Sequence, residues 1–298
     1  MTYDAPACIR FRAEPCCDRR VFQITPRFRC SLKDLLDRVS RVTNRLSLPP
    51  RAFLLALTLP SLLLSACAPL PVRTGLPVEV RPSPSFGERR PSYVVLHHTS
   101  NRDAARAVVT LTRQSSGVSA HYLVARDGRI VYMVDERLRA WHSGESYWGG
   151  NRDINSASIG IEIDNDGAEP YPEPQIEALL ALLADLKARW SIPAANFVGH
   201  GDVAPGRKVD PGANFPWKRL AGRGFGLWCE PPYDPVPAGT DDALLLSALG
   251  YDVSNLPAAR GAFKRRYRAV ESTAPLTEEE RGMAQCLLKK RVTGENDL

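Results

Sequence analysis

"SIGIEID", residues Ser158–Asp164, alternates without a break: Ile159, Ile161 and Ile163 fall on one side of an extended chain, and Gly160, Glu162 and Asp164 on the other. Successive strand side chains point to opposite faces, so the stretch predicts a β-strand with an apolar face turned to a core. Upstream, "YVVL" (Tyr93–Leu96) is a second short β-rich run, followed by a helical pattern around Asp103 to Arg113. "HYLVARDGRIVYMV" joins two apolar β-rich segments at Asp127-Gly128, a hairpin signal. Downstream, Pro174 opens a helix in which Ile176, Leu179, Leu180, Leu183, Leu186 and Trp190 recur at helical spacing, and Pro193 stops it. "NFVGH" is the next strand. Strands and helices in this order predict an α/β (α+β) domain, a mixed central β-sheet flanked by helices.

The chain has 298 residues, 44% hydrophobic and 24% charged, as expected for one or two soluble domains. Its formal net charge of +6 invites a nucleic-acid reading. However, residues 1–66 hold eleven Lys and Arg against five Asp and Glu, which accounts for the whole excess. The body is neutral, whereas a phosphate-binding groove needs clustered basic residues, so no nucleic-acid partner is expected.

Residues 52–66, "AFLLALTLPSLLLSA", are too short to cross a bilayer comfortably and follow Arg45 and Arg51. They read as a signal peptide, with 1–66 as processing sequence. Leu64-Ser65-Ala66-Cys67 resembles the bacterial lipobox, which implies that Cys67 is the lipidated first residue of the mature chain. The 51 residues that precede the run are more than an ordinary signal peptide holds, so Met1 is not expected to be the biological start. Cys8, Cys16, Cys17 and Cys30 lie in that stretch with no metal-pair spacing. Six prolines between Ala68 and Pro91 make residues 67–91 an extended tether. A second Pro-rich stretch, "EPPYDPVPAGT" (Glu230–Thr240), makes 229–240 a linker between a domain at 92–228 and a helical module at 241–291. In that module Thr277 with Glu280 three positions on forms a capping-box pattern.

All five histidines, at 97, 98, 121, 142 and 200, lie between the tether and Asp210. His97 and His200 each end a short strand, where sheets of this class present ligand-binding residues. His97 and His98 point to opposite faces, so only one of them can join a shared centre. Two histidines and Asp210, held by Pro211 and Gly212, would make a ligand set for catalytic Zn²⁺. Each histidine could equally be a hydrogen-bonded loop residue, and spacing alone leaves both readings open.

Five motifs occur here in the order seen in the type-2 zinc-dependent N-acetylmuramoyl-L-alanine amidases, the family that includes peptidoglycan recognition proteins. They are "VVLHHTS" (94–100), "SAHYLVARDGRI" (119–130), "AWHSG" (140–144), "SIGIEIDN" (158–165) and "VGHGDVAPGRKVDPGANFPW" (198–217). The resemblance covers about residues 90–228 and is nearest to the outer-membrane lipoprotein amidases of Gram-negative bacteria. It implies that His97, His200 and Asp210 bind zinc, that Glu162 carries protons between water and the leaving amine, and that Lys208 stabilises the oxyanion. Trp141 and His142 resemble groove residues that contact the glycan or stem peptide.

The implied reaction is hydrolysis of the amide between N-acetylmuramic acid and L-alanine of peptidoglycan or muropeptides, by a monomer held at the outer membrane only through its lipid anchor and facing the periplasm. A non-catalytic receptor for cell-wall fragments and a zinc peptidase cutting within the stem are the rival readings. The C-terminal helices resemble a degenerate peptidoglycan-binding module, and a bundle that simply packs on the catalytic domain fits them nearly as well. Cys229 and Cys286 could pair in an oxidising compartment.

Overall fold

The computed structural model describes residues 88–294. The segment 1–66, Cys67 and nearly all of the 67–91 tether lie outside the described residues. Five strands form one sheet: β1 (Tyr93–His98), β2 (Tyr122–Val124), β3 (Ile130–Tyr132), β4 (Ser158–Ile163) and β5 (Phe197–Gly199), in the order β3-β2-β4-β1-β5. β2, β4, β1 and β5 run parallel, and β3 pairs antiparallel with β2 at the edge. The sheet is therefore mixed, and the parallel strands deliver their C-terminal ends to one edge.

The anticipated strands and helices form, and local features of the chain set their ends. Asp103 caps α1 (Ala104–Thr112), its carboxylate accepting the Arg106 N–H at 3.0 Å. The β2–β3 hairpin turns through Gly128 at φ +87°, a conformation that favours glycine. α2 (Ile154–Ala157) leads straight into β4. α3 (Glu173–Trp190) carries Pro174 in its first turn and ends on Ser191 in the left-handed region. Its Ile176, Leu179, Leu180, Leu183 and Leu186 are buried against Val94, Leu96, Ile159, Ile161, Ile163 and Phe197, the face that the "SIGIEID" alternation marks as apolar. Each fully buried aliphatic side chain contributes about 1.5–3 kcal/mol.

After β5 come α4 (His200–Val203) and α5 (Trp217–Ala221), then α6 (Asp242–Leu249), α7 (Leu256–Arg268) and α8 (Glu278–Thr293). Thr277 and Glu280 form the anticipated capping box at the start of α8. The helices of the 241–291 stretch share one core with the other face of the sheet: Leu245, Leu246, Phe263 and Leu287 cluster with Val95, Val198 and Trp148. Among the described residues no helix is long and apolar enough to cross a membrane.

Cys229 and Cys286 are disulfide-bonded, with Cα atoms 6.3 Å apart, and tie the linker to α8 across 57 residues. Reduction, or Cys286→Ser, is expected to lower stability by about 2–4 kcal/mol, because the open unfolded chain regains loop entropy. Urea unfolding with and without reductant measures this, and an unchanged midpoint would show that the bridge adds nothing to the shared core.

Candidate metal centre

The site begins with strand register. β1 lies between β4 and β5, with Leu96 opposite Gly199 and His97 opposite Glu162. Leu96 turns into the core under α3, so alternation sends His97 to the opposite face, where it is 2% exposed. His200 begins α4 one residue beyond β5, and Asp210 is carried past it on a loop whose Asp210 carbonyl accepts the Gly201 N–H at 2.7 Å. A side chain at Gly199 would collide with Pro211, its Cβ falling 2.9 Å from the ring, so glycine is needed for that loop to close.

Three side-chain atoms converge. His97 Nδ1 and His200 Nδ1 are 3.0 Å apart and lie 3.1 and 3.0 Å from Asp210 Oδ2. His200 Nε2–H donates to the Ser143 carbonyl at 3.1 Å, which leaves the His200 Nδ1 lone pair facing the centre. Burial, then the neighbouring His200, pushes His97 down to about 4. Burial alone would raise Asp210, but its close contacts with the His200 and His97 rings outweigh it and hold this carboxyl well below the usual range. An anion and two unprotonated imidazole nitrogens in mutual contact repel unless a cation sits among them. Their spacing approaches the edge of about 3.3 Å of a tetrahedron with zinc-ligand bonds of about 2.0 Å. Among the described residues this is the one group of three His, Cys, Asp or Glu side chains placed to hold a metal.

The centre floors a cleft of about 250 Å³ whose lining includes Glu162, Lys208, Trp141 and His142. Glu162 keeps partial solvent contact, yet its Oε2 is buried without a hydrogen-bond partner. Burial first, and the Asp210 charge second, raise it to about 8, with Lys208 opposing. A carboxyl tuned close to neutral pH inside a cleft suits proton transfer. Trp141 is 53% exposed on the wall, with the Arg139 guanidinium 4.2 Å from its ring centre. His142 stands behind His97, their ring centroids 5.2 Å apart.

The remaining histidines take other work. His98 lines the cleft and accepts the Ser100 N–H. His121, fully buried, accepts the Gly160 N–H at 3.0 Å and supports the sheet. Sequence reasoning passed over Asn155, whose Oδ1 accepts the backbone N–H groups of His142 and Ser143 at 3.0 and 2.9 Å. It also passed over Gly160, although an isolated glycine inside a strand signals a close approach.

A mixed sheet presenting this His, His, Asp cluster in an open cleft defines an α/β scaffold with a candidate metal centre. The family model described as N-acetylmuramoyl-L-alanine amidase matches residues 87–213. The chain is 34% identical over 269 residues to the N-acetylmuramoyl-L-alanine amidase AmiD of Escherichia coli (strain K12), covering 77% of this chain and 95% of that protein. It belongs to the N-acetylmuramoyl-L-alanine amidase family. The solved complex of E. coli AmiD with the substrate anhydro-N-acetylmuramic acid-L-Ala-D-gamma-Glu-L-Lys is similar at a TM-score of 0.60 and 34% identity, over 72% of this chain and 95% of that one. AmpDh3 from Pseudomonas aeruginosa, in complex with anhydromuramic pentapeptide, is similar at a TM-score of 0.58 and 31% identity, over 74% and 99%.

Proposed function

We propose that this protein hydrolyses the amide between the lactyl group of N-acetylmuramic acid and L-alanine in peptidoglycan-derived muropeptides, for cell-wall turnover or recycling. The observation that carries the reading is the convergence of His97, His200 and Asp210 in the cleft that Glu162 and Lys208 also line. Zinc held by those three ligands would supply a Lewis acid and lower the pKa of a bound water towards about 7. Glu162 takes the proton of the attacking water and passes it to the leaving amine. Lys208, on the same cleft, brings an ammonium towards the carbonyl oxygen, which gains negative charge as the carbonyl carbon becomes tetrahedral. Trp141 and His142 form the wall against which the glycan or stem peptide lies.

Mass spectrometry of muropeptides after digestion, with chelator and after zinc is restored, tests the reading. The expected products are intact N-acetylmuramic acid and a stem peptide with a free L-alanine amino group, formed only with metal present. Cleavage within the stem would make the enzyme a peptidase, fragment binding without turnover would make it a receptor, and full activity after complete chelation would remove zinc from the mechanism.

The proposal places the protein in the periplasm as a monomeric lipoprotein. Its support is Leu64-Ser65-Ala66-Cys67, the Pro-rich tether, and Ala68 in place of the aspartate that retains lipoproteins in the inner membrane. Several acyl chains, at about 0.8 kcal/mol per buried CH₂, hold a protein firmly, whereas a single chain does not. The 241–291 helices share a core with the sheet, which supports reading them as a bundle packed on the catalytic domain. Mature protein is expected to begin at Cys67 and to fractionate with outer membrane, and Cys67→Ala to alter processing or release it with zinc content unchanged. Wild-type protein found freely soluble, or still carrying residues 1–66, would sink this location.

A further inference from the structure

His97 and His200 both face the centre through Nδ1, and each leaves Nε2 to be held from behind. For His200 the partner is the Ser143 carbonyl, which can only accept. For His97 it is His142 Nδ1 at 3.1 Å, a ring nitrogen able to donate or to accept, so the outcome is decided further back. Ser158 Oγ lies 2.6 Å from the Ile154 carbonyl, and that contact commits its hydroxyl hydrogen. Ser158 Oγ therefore accepts from His142 Nε2–H at 3.2 Å. This leaves a lone pair on His142 Nδ1, which accepts from His97 Nε2–H.

We propose that His142 is a positioning residue, which together with Ser158 fixes the tautomer of His97 so that its Nδ1 presents a bare lone pair beside His200 and Asp210. The inference rests on the metal reading above. The relay has been given room: a Cβ on Gly160 would stand 2.4 Å from His142 Cγ, so β4 carries glycine where the ring lies across it. It has also been given a fixed base, because Asn155 holds the backbone of His142 and Ser143. Both ring nitrogens of His142 are engaged within the protein, leaving it no hydrogen bond to offer a substrate. The ring edge still forms part of the cleft wall.

Partners behind metal-ligating histidines typically affect metal affinity by 10–100-fold. The full chain is titrated with zinc against a chromophoric chelator, and its imidazole ¹⁵N resonances are read in the metal-free state. His142→Leu, which removes the acceptor, is expected to bind zinc about 10–100-fold more weakly. His142→Asn, whose Oδ1 can take the place of Nδ1, is expected to recover most of that loss. Gly160→Ala should act like His142→Leu by displacing the ring, and if it fails to fold, the two His142 variants decide alone. Metal-free wild type is expected to show His97 as the Nε2–H tautomer, a signature that His142→Leu loses. Wild-type zinc affinity in His142→Leu, with only KM raised, would overturn the proposal and make His142 a substrate contact, and a His97 Nδ1–H tautomer in wild type would overturn it equally. Wild type that binds no zinc would instead defeat the metal reading, and the tautomer signature would still decide the relay separately.

Discussion

Glu162→Gln is expected to cut turnover by about 10²–10⁴ while making the metal-free protein more stable. The loss follows from removing the group that moves the proton. The gain follows from linkage: Glu162 rises to about 8 in the folded state, above its ordinary value of 4.5, chiefly through burial. A group raised in this way contributes its stability below the unfolded value and loses it as pH climbs through the folded value. At pH 5 the carboxyl is already neutral in the fold and glutamine changes little. Above pH 8 the wild type must bury a charge beside Asp210 or take up a proton, and the variant does neither. At 1.36 kcal/mol per pH unit the shift caps the gain at about 5 kcal/mol, and partial solvent contact brings the expected difference to about 2 kcal/mol. Thermal melts of chelated protein at pH 5 and pH 8.5, with zinc content and kcat/KM, measure all of this. Near wild-type turnover would assign the proton to another group, and equal melting shifts at both pH values would mean that Glu162 is ionised in the fold throughout.

Arg266→Met is expected to destabilise the fold by about 3–5 kcal/mol, since it leaves one buried charge without its partner. Side chains of Arg266 and Asp202 are 5% and 4% exposed. Asp202 also accepts the Gly199 N–H at 2.7 Å and the Tyr251 hydroxyl at 3.0 Å. Arg266 donates to the Phe197 carbonyl at 3.0 Å and lies 3.9 Å from the centre of the Trp217 ring. The pair thus fastens α7 to β5 and to the short helix that begins with His200, so weaker zinc binding should accompany the loss. Replacing both partners, as Arg266→Met with Asp202→Leu, should restore part of the stability, because no orphaned charge remains. Urea unfolding of the two single variants and the double gives the coupling. A single-variant cost under about 1 kcal/mol would show that water reaches the pair.

The amidase resemblance rested on motifs whose residues the structure gathers into one cleft: His97, Trp141, His142, Glu162, His200, Lys208 and Asp210. Their roles remain for the experiments above. The shared core of the C-terminal helices was not legible, because a Pro-rich stretch from Glu230 to Thr240 looks alike whether it separates two bodies or wraps around one. The polar side of "SIGIEID" was equally deceptive. Gly160 and Glu162 alternate as if facing water, yet His142 covers one and the cleft encloses the other.

By itself the sequence determined what is local: which segments extend, where Asp103 and Thr277 start helices, where Gly128 turns the hairpin, and which side of β4 is apolar. Side-chain period and capping act within a few residues, so a linear reading reaches them. Only the tertiary structure decided that β1 lies between β4 and β5, which sets His97 against Glu162 on one side and brings it to His200 on the other. It also decided that His142 closes behind His97 and that burial carries Glu162 to about 8. These contacts join residues 45 and 103 positions apart, and the pairing of distant strands is selected by the whole core, which no stretch of sequence contains.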